Sequence, residues 1–487
     1  PSPGHATVNF DNTIETTDEV PSPFVTIDGS ATTGDAIVVT DSGVTVNGVP
    51  VDLTDVRELT IAPNGGANTI TVTGLPSMIE HLTIDGTGGN DTLIGPDENT
   101  QWDLTGSNEG SVSGSTEFLF SGIENVQGGS GDDTFVIADG AGLSGGISDQ
   151  GGDNTLDLSA LTMSVTVDLG AGTATGIGGT FSGIQTLIGT ATSDTLIGAS
   201  TPNVWDIDSN DAGSVGSVNF EGFENLTGGA DDDEFHFANG AVLSGSIVGQ
   251  GGSNTLDFSQ IATGVTVDLE QRTAPGIGGT FTGIQQLVGT NATDTLIGSN
   301  SPTTWTVSGQ NVGTAGAVSF NGFENLTGGT GTDTFLLGSA SFIGGTIDGG
   351  DGDDALIASA DATDDVVLID VGQLNLSGVP TQFAAIEELT VNTSDGMDQI
   401  TVNTGAGIPG TINVNTGDDD DLLTVNLADG VTTTINLDGG APSASDHVTI
   451  NGTAGADVLV IDGPTVTLGN TAVSLTGIEH LTVNGGG

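Results

Sequence analysis

The chain has 487 residues, of which 64 are Asp or Glu and only two are Lys or Arg, giving a formal net charge of −62. Nucleic acids and anionic membranes are recognised by clustered Lys or Arg, so this composition excludes both as partners. Because there is no Cys, disulfides, thiolate metal sites and a Cys nucleophile are excluded as well.

Hydrophobic residues nevertheless make up 35% of the chain and charged residues only 14%. Disordered chains combine high charge with few apolar residues, so this composition predicts a folded protein. No stretch approaches 18 consecutive apolar residues, and we therefore expect no membrane insertion.

In chain order, residues 1–24 are rich in proline and lack the turn motif found later, so they are predicted to form an N-terminal arm or cap. Ala6, Val8, Phe10 and Ile14 have the spacing of an extended strand that could be donated to a neighbouring molecule. Residues 25–90 are predicted to contain the first repetitive coils.

Residues 91–356 contain an internal repeat of about 100 residues. Asp133, Asp233 and Asp333 occupy equivalent positions 100 residues apart, and Asn154, Asn254 and Asp354 follow each of them by 21 residues. Residues 357–487 lose the long repeat but keep a shorter one of about 20 residues, which predicts continuing coils.

Short segments such as VTVDL at 165–169 and 265–269 alternate apolar and polar residues and are rich in Val and Thr, which is typical of strands. A unit of about 20 residues is too small to bury its own apolar face, so it must stack on its neighbours. The sequence therefore predicts an all-β fold, a right-handed parallel β-solenoid (β-helix) with coils of about 20 residues in 100-residue super-repeats.

Apolar residues at alternating positions are expected to fill the interior of these coils: Leu156, Val165, Val167, Leu169, Ile177 and Phe181. Trp205 and Trp305 recur at one repeat position and are predicted to pack inside as larger core residues. The alternative is that these tryptophans lie outside and stack against sugars.

The turns carry the motif GGxGxDxU, in which U is a large apolar residue, at 128–135, 328–335 and 349–356, and nearly so at 86–93. Weaker copies occur at 189–196, 289–296 and 452–459. Glycine allows positive φ, so that carbonyls can turn toward one point, while Asp supplies a hard oxygen ligand. The motif resembles the nonapeptide calcium repeat of RTX proteins, and the chain resembles RTX-like and β-strand-repeat large bacterial exoproteins, including filamentous-haemagglutinin-like surface proteins.

This resemblance implies Ca²⁺ as a cofactor, bound where acidic turns of adjacent coils meet. The candidate ligands are Asp91, Asp132, Asp133, Asn154, Asp232, Asp233, Asn254, Asp333, Asp353 and Asp354. The alternative is that Asp and Asn cap tight turns by bonding to nearby backbone. Because stacked acids repel and basic residues are almost absent, stability is expected to rise with millimolar Ca²⁺ or with salt.

No catalytic constellation stands out. His81 and His480 occupy the same slot in two repeats, which indicates a repeated surface position, and no GxSxG elbow precedes a helix. Polysaccharide-processing β-helix enzymes use carboxylate pairs, and this remains an alternative, but the sequence has no distinct acidic cluster and no Tyr. We predict that the protein is not an enzyme.

The last ten residues, IEHLTVNGGG, nearly repeat residues 79–89, where a complete turn and strand follow. An open solenoid end pairs readily with another chain, so we expect head-to-tail filaments in which the N-terminal strand joins a neighbour's C-terminal coil. The predicted function is a secreted, extracellular or cell-surface structural protein of a fibre, sheath or biofilm matrix. The alternatives are the stalk or passenger segment of an adhesin and an acidic surface protein of a halophile.

Overall fold

A computed structural model describes residues 6–9, 24–440 and 445–485, the first of these as backbone only. Strands and turns account for the regular structure of this described part, which contains no helix and hence none long and apolar enough to cross a membrane. The all-β class predicted from the sequence is confirmed.

The chain divides into two compact units, one of residues 1–234 with 241–252 and the other of residues 235–240 with 253–487. The four segments predicted from the sequence, with boundaries at 24, 90 and 356, stay a prediction.

The strands up to residue 252 are β1 Ala6–Asn9, β2 Phe24–Asp28, β3 Ala36–Thr40, β4 Gly43–Val46, β5 Val49–Val51, β6 Glu58–Ala62, β7 Thr69–Val72, β8 His81–Asp85, β9 Thr92–Ile94, β10 Gln101–Gly106, β11 Glu109–Ser113, β12 Phe118–Ser121, β13 Asn125–Gln127, β14 Thr134–Ile137, β15 Ile147–Ser148, β16 Thr155–Asp157, β17 Thr166–Asp168, β18 Thr173–Ala174, β19 Thr186–Ile188, β20 Thr195–Ile197, β21 Val204–Ser209, β22 Ala212–Val215, β23 Val218–Glu221, β24 Asn225–Thr227, β25 Glu234–Phe237 and β26 Ile247–Val248.

The strands after residue 252 are β27 Thr255–Asp257, β28 Thr266–Asp268, β29 Phe281–Thr282, β30 Gln286–Val288, β31 Thr295–Ile297, β32 Thr304–Gly309, β33 Val312–Ala315, β34 Val318–Asn321, β35 Asn325–Gly329, β36 Thr334–Leu337, β37 Thr346–Gly350, β38 Ala355–Ser359, β39 Val366–Asp370, β40 Gln373–Leu376, β41 Val379–Ala384, β42 Glu388–Asn392, β43 Gln399–Asn403, β44 Thr411–Asn415, β45 Leu422–Asn426, β46 Thr434–Asp438, β47 His447–Asn451, β48 Leu459–Asp462, β49 Thr465–Leu468, β50 Thr471–Thr476 and β51 His480–Asn484.

These segments form strands because their apolar residues recur at period two and bury one face of a pleated sheet. In β43, for example, Ile400 and Val402 are buried while Gln399 is exposed. In the parallel stacks, successive single strands alternate between two sheets, so a strand pairs in parallel with the strand after next, as β42 does with β44 and β43 with β45. This connectivity confirms the solenoid-like fold; its hand stays a prediction.

In the first unit, one sheet runs β1-β2-β6-β8-β12-β11-β10-β14-β16-β19-β23-β22-β21. Two shorter sheets run β5-β4-β3-β7-β9-β13-β15 and β18-β17-β20-β24-β26.

In the second unit, one sheet runs β27-β30-β34-β33-β32-β36-β38-β42-β44-β46-β50-β49-β48. The other runs β28-β31-β35-β37-β41-β40-β39-β43-β45-β47-β51.

Antiparallel meanders interrupt the parallel stacks, and the sequence analysis did not foresee them. Three hairpin-linked strands take the place of a single strand at β3–β5, β10–β12, β21–β23, β32–β34, β39–β41 and β48–β50. Their tight turns use left-handed backbone, as at Asn47 with φ 49° followed by Gly48 with φ 77°. Asn-Gly is a strong hairpin signal, because this turn needs positive φ at both central residues.

The observed repeat agrees with the sequence at the longer period. β14, β25 and β36 begin at residues 134, 234 and 334, and β20 and β31 begin at 195 and 295. The shorter step varies: Phe135 pairs with Leu156, 21 residues on, whereas Leu187 pairs with Phe220 across an intervening meander. The extra hairpins and loops lengthen individual coils, and three of the hairpins contain a register shift, as between Leu104 and Gly106.

The interior is formed by the apolar faces of these strands. Trp102, Trp205 and Trp305 have no exposed surface, so the predicted core packing is confirmed and the sugar-stacking alternative is wrong. Trp305 stacks on Phe335 with ring centroids 5.4 Å apart. Of the other predicted core residues, Leu156, Val165, Val167 and Ile177 are buried, whereas Leu169 and Phe181 are only half-buried.

At the N-terminus, β1 pairs in parallel with β2 of the same chain, with Ala6 opposite Val25 and Val8 opposite Ile27. The segment predicted to join a neighbouring molecule is thus a strand of its own sheet as far as residue 9. Phe10 and Ile14 lie outside the described residues.

Candidate functional site

The acidic turns of the repeat place one polar side chain in the interior immediately before each of many strands. Asp133 precedes β14, Asp194 precedes β20 and Asp294 precedes β31, and each is at most 1% exposed. Burying a charged carboxylate is unfavourable unless hydrogen bonds compensate for lost hydration. The partners of these carboxylates therefore determine what the turns do.

One carboxylate oxygen of each buried Asp links adjacent coils, except in Asp35 and Asp365, whose carboxylates bond within their own coil. The Oδ1 of Asp421 accepts the backbone N–H of Asp398, and the Oδ1 of Asp446 accepts that of Asp421, at 2.8 and 2.9 Å. The same bond connects residues at the same place in successive coils. We call such a series a ladder, whether the accepting side chain is a carboxylate or an amide.

The ladders found in the described residues are Asp35–Asn68–Asp91–Glu124, Thr100–Asp133–Asn154–Gln185, Val165–Asp194–Glu224, Asn203–Asp233, Asn254–Gln285, Val265–Asp294–Glu324, Thr303–Asp333–Asp354–Glu387 and Asp365–Asp398–Asp421–Asp446–Glu479.

The other carboxylate oxygen closes the turn itself in several of these ladders. The Oδ2 of Asp133 accepts the N–H of Gly129 at 2.9 Å, and the Oδ2 of Asp294 accepts that of Thr290 at 2.5 Å. A carboxylate with an amide donor on each oxygen is well compensated, because hydrogen bonds to a charged group are stronger than neutral ones. These Asp side chains bind backbone amides on both sides.

The first glycine of each motif makes room for this carboxylate. A Cβ added at Gly289 would lie 2.6 Å from the Oδ2 of Asp294 and 2.2 Å from the carbonyl oxygen of Gly322, and Gly128 has a similar contact with Asp133. Neither glycine has positive φ. Positive φ occurs instead at later glycines of a motif, such as Gly350 with φ 95° and Gly352 with φ 141°, whereas close approach of the carboxylate requires the first glycine.

Where a ladder position holds Asn, the turn presents carbonyl groups in place of amides. Asn154 accepts the N–H of Asp133 with its Oδ1, while its Nδ2 donates to the carbonyl oxygens of Gly151 and Gly183 at 3.1 and 2.8 Å. Asp is thus found where the surrounding backbone groups are N–H donors, and Asn154 is found where some of them are carbonyl acceptors.

Most ladders with a described end finish on a Glu or Gln, which the sequence analysis missed. Near this end, two successive N–H groups, those of Gln185 and Thr186, donate to the same carbonyl oxygen of Asn154. The longer side chain of Gln185 then reaches the N–H of Asn154 at 2.8 Å. The available signal was the recurring pattern of an apolar residue and Glu or Gln after a glycine, as in GIQ, GFE and GIE.

The predicted calcium ligands fall into two groups. Asp91, Asp133, Asn154, Asp233, Asn254, Asp333 and Asp354 are buried ladder members, whereas Asp132, Asp232 and Asp353 are exposed. Ca²⁺ takes six to eight oxygen ligands, but the buried carboxylates each give at least one oxygen to a backbone N–H. No group of three His, Cys, Asp or Glu side chains is placed to hold a metal ion in the described segments.

The calcium site implied by the resemblance to RTX proteins stays a prediction. The Oδ1 atoms of Asp91, Asp333 and Asp354 each accept a backbone N–H, whereas their Oδ2 atoms have no hydrogen-bond partner. Among the exposed aspartates, the Oδ1 of Asp132 accepts the N–H of Asp153 from the next coil at 2.8 Å. A cation-binding role at the exposed positions stays a prediction.

The longest ladder of acids has incomplete hydrogen bonding. The Oδ2 atoms of Asp365, Asp398, Asp421 and Asp446 are buried and lack a partner. Burial raises the pKa of Asp398 to about 6, an effect to which the neighbouring Asp421 and Asp365 charges add. Burial likewise raises the pKa of Asp421 and of Asp446.

A second perturbed acid lies beside a calcium candidate. Burial raises the pKa of Asp149 to about 6, and the nearby carboxylate of Asp133 adds to the shift. Paired carboxylates with separated pKa values are what glycoside hydrolysis requires. Asp133, however, already accepts a backbone N–H on each carboxylate oxygen, from Thr100 on Oδ1 and from Gly129 on Oδ2. These bonds occupy the oxygens that a catalytic role would require.

The histidine slot lies on the outer surface. His81 and His480 are exposed, and His480 stacks on the exposed His447 of the neighbouring coil with ring centroids 4.3 Å apart. The position fits a repeated surface residue; the prediction that the protein is not an enzyme remains untested. In comparisons with known proteins, the chain matches no family model and no curated protein.

Proposed function

We propose that the protein is a structural segment of an extracellular or cell-surface fibre, sheath or matrix. The observation that carries this proposal is the use of the polar residues at the repeated turns: buried Asp and Asn side chains, with Glu and Gln at the ends of the ladders, bond one coil to the next. Such interactions stabilise an extended stack of coils, and a repeat fold distributes its stability along the chain.

The surface chemistry supports an exposed, hydrated setting. The ion pair between Arg57 and Glu80 is exposed and contributes little to stability. The remaining acids give a strongly negative surface that attracts cations and resists association with other anions. The absence of Cys removes sensitivity to thiol oxidation, and the two basic residues offer few sites to trypsin-like proteases.

Divalent cations belong to this proposal as counter-ions of the exposed acids. Asp132 and Asp232 lie at equivalent exposed turns, and Asp353 is exposed at the same place in the motif at 349–356. Bound Ca²⁺ would reduce repulsion between these residues and neighbouring carboxylates. Calorimetric titration should show Ca²⁺ binding that weakens when these three residues are replaced by Asn. Equal binding by the triple variant would remove them as ligands.

Assembly is the part of the function that can be tested most simply. Head-to-tail joining requires the neighbour's strand to pair with an open sheet edge, and β1 would have to exchange its pairing with β2 or extend it. Electron microscopy of the full chain should show filaments, and deletion of residues 1–20 should shorten or abolish them. Particles of single-chain size at high protein concentration would contradict the proposal.

The stalk of an adhesin is a second candidate, favoured by the same coil-to-coil ladders. A stalk would remain monomeric and resist mechanical extension, so the filament experiment distinguishes the two. The polysaccharide-enzyme alternative is tested by incubation with a polysaccharide panel and assay for new reducing or unsaturated ends.

A further inference from the structure

Two meanders of the chain are copies of one another, and their comparison exposes a difference. Residues 35–51 and 365–381 match at an offset of 330, each beginning with Asp and sharing a Gly-Val-Pro segment. Asp35 precedes β3 and Asp365 precedes β39, and both are ladder members. Each can therefore serve as the reference for the other.

In the first copy, both oxygens of the carboxylate have donors. The Oδ1 of Asp35 accepts the side-chain amide of Asn47 at 2.8 Å, and its Oδ2 accepts the N–H of Ser30 at 2.6 Å. The carboxylate is buried and fully paired, which is the usual state of such a group.

In the second copy, one donor is missing. The Oδ1 of Asp365 accepts the hydroxyl of Ser377, the counterpart of Asn47. The turn before Asp365 is one residue shorter than the turn before Asp35. Ala360, whose N–H donates to the carbonyl oxygen of Asn392 at 2.8 Å, corresponds to Gly29, whose N–H donates to that of Ala62 at 2.9 Å. The shorter turn forms no hydrogen bond equivalent to the one from Ser30. The Oδ2 of Asp365 consequently has no partner, although the residue is only 6% exposed.

A cavity of about 300 Å³ lies beside this carboxylate. Asp365 lines it together with Asp361 and Asp364, and the aliphatic side chains of Leu337, Leu374 and Val379 form apolar wall. This volume is at the lower end of the range for small-molecule sites. An unpaired buried carboxylate beside apolar side chains is complementary to a cation that carries N–H donors on an aliphatic stem.

We propose that this cavity binds a small primary alkylammonium ion, with the ammonium group donating to Asp365 and the stem against the leucines. Asp361 and Asp364 add negative potential: the Oδ1 of Asp361 is occupied by Thr363, and that of Asp364 by the N–H of Met397. The ligand takes the place of the donor that Ser30 provides in the first meander. The site is independent of filament assembly.

The test uses the full chain and three probes in buffer of fixed ionic strength. n-Pentylammonium has both the charge and the stem, tetramethylammonium has charge without N–H donors, and 1-pentanol has the stem without charge. Isothermal titration calorimetry should show saturable binding of one n-pentylammonium per chain, with no saturable binding of the other two. Equal binding of tetramethylammonium would show only attraction to a negative surface and would overturn the proposal.

Matched variants locate the site. Asp365→Asn should weaken n-pentylammonium binding at least about tenfold, the effect expected on losing a charge-assisted hydrogen bond, while Asp35→Asn should leave it unchanged. Ser339→Trp, at an exposed position on the cavity wall, tests the same site without altering a ladder. Unchanged affinity in both Asp365→Asn and Ser339→Trp, or equal loss in Asp35→Asn and Asp365→Asn, would overturn it.

Discussion

The backbone N–H of Asp398 donates to the Oδ1 of Asp421 at 2.8 Å, although the two residues lie 23 positions apart in the chain. The side chain of one coil thus satisfies the main chain of the coil before it. Buried backbone groups require such partners, and the ladders provide them at the turns, where strand pairing has not yet begun. If these bonds determine which residue each turn accepts, substitutions at ladder positions should lower the stability of the protein.

Replacing a ladder Asp by the isosteric Asn should destabilise the protein. In the wild type, the N–H groups of Val265 and Thr290 donate to the two carboxylate oxygens of Asp294. In Asp294→Asn, the NH₂ group of the new side chain must face one of these two donors. Leaving a buried donor unpaired costs about 1–3 kcal/mol. Denaturant unfolding should show this loss, whereas Asp351→Asn, at an exposed position, should be nearly neutral.

The reverse replacement should fail for the complementary reason. In Asn154→Asp, a carboxylate oxygen would face the carbonyl oxygens of Gly151 and Gly183, which now accept hydrogen bonds from Nδ2. We expect a loss of similar size, measured in the same way. If Asn154→Asp were as stable as wild type, the turn would not discriminate between Asp and Asn.

The stability of the protein should depend on the side-chain length of the residue at the end of a ladder. Glu324 accepts the N–H of Asp294 with Oε2 and the side-chain amide of Asn311 with Oε1. Glu324→Asp is one methylene shorter and should lose about 1–3 kcal/mol of stability in denaturant unfolding. Glu387→Gln retains an acceptor for Asp354 and should change stability by less than about 0.5 kcal/mol; equal effects of the two substitutions would contradict this role.

The first glycine of a motif should not tolerate a methyl group. Gly289→Ala would place Cβ 2.2 Å from the carbonyl oxygen of Gly322, a contact with rigid backbone. Overpacking of this kind costs about 1–3 kcal/mol or more. Gly309→Ala is the control, since its nearest heavy atom, Val312 Cβ, is 3.9 Å away; thermal melts that shift equally for both variants would refute the steric explanation.

The acid ladder should make stability depend on pH in an unusual direction. Burial raises the pKa of Asp398 to about 6, above the value of about 3.9 in an unfolded chain. The folded state therefore binds the proton more tightly, and its contribution to stability is complete below about pH 4 and is lost as the pH rises through 6. At constant ionic strength, the unfolding midpoint should be higher at pH 4.5 than at pH 7.5.

Reduced overall charge at low pH acts in the same direction, so a variant must separate the two effects. Asp398→Asn should flatten the pH dependence between 4.5 and 7.5 more than Asp395→Asn, which removes one exposed acid. Identical slopes for the two variants would mean that Asp398 is not responsible.

The sequence predicted the strands and the 100-residue repeat because period-two alternation and recurring turns depend on local pattern alone. It also predicted the burial of Trp205 and Trp305. It could not show that Asp133 binds amides on both sides, since GGxGxDxU is equally suited to a cation or to a backbone N–H. The meanders were missed, including the one at residues 35–51, although its hairpin turn carries the Asn-Gly signal at Asn47 and Gly48.

The role of Glu324 was also beyond prediction from spacing, because a meander lies between it and the coil it contacts. Only the paired strands reveal that residues 294 and 324 are adjacent. The unpaired oxygen of Asp365 required comparison with Asp35 in three dimensions.

We predict that amide–carboxylate bonds hold the buried turns together without bound metal ions. The most direct test of this prediction is the thermal unfolding of wild type and Asp294→Asn, each with excess chelator and with millimolar Ca²⁺ at matched ionic strength. We predict that wild type stays folded in chelator and that Asp294→Asn is destabilised to the same extent in both buffers. Unfolding of wild type by the chelator, together with loss of the difference between the two proteins, would contradict the account.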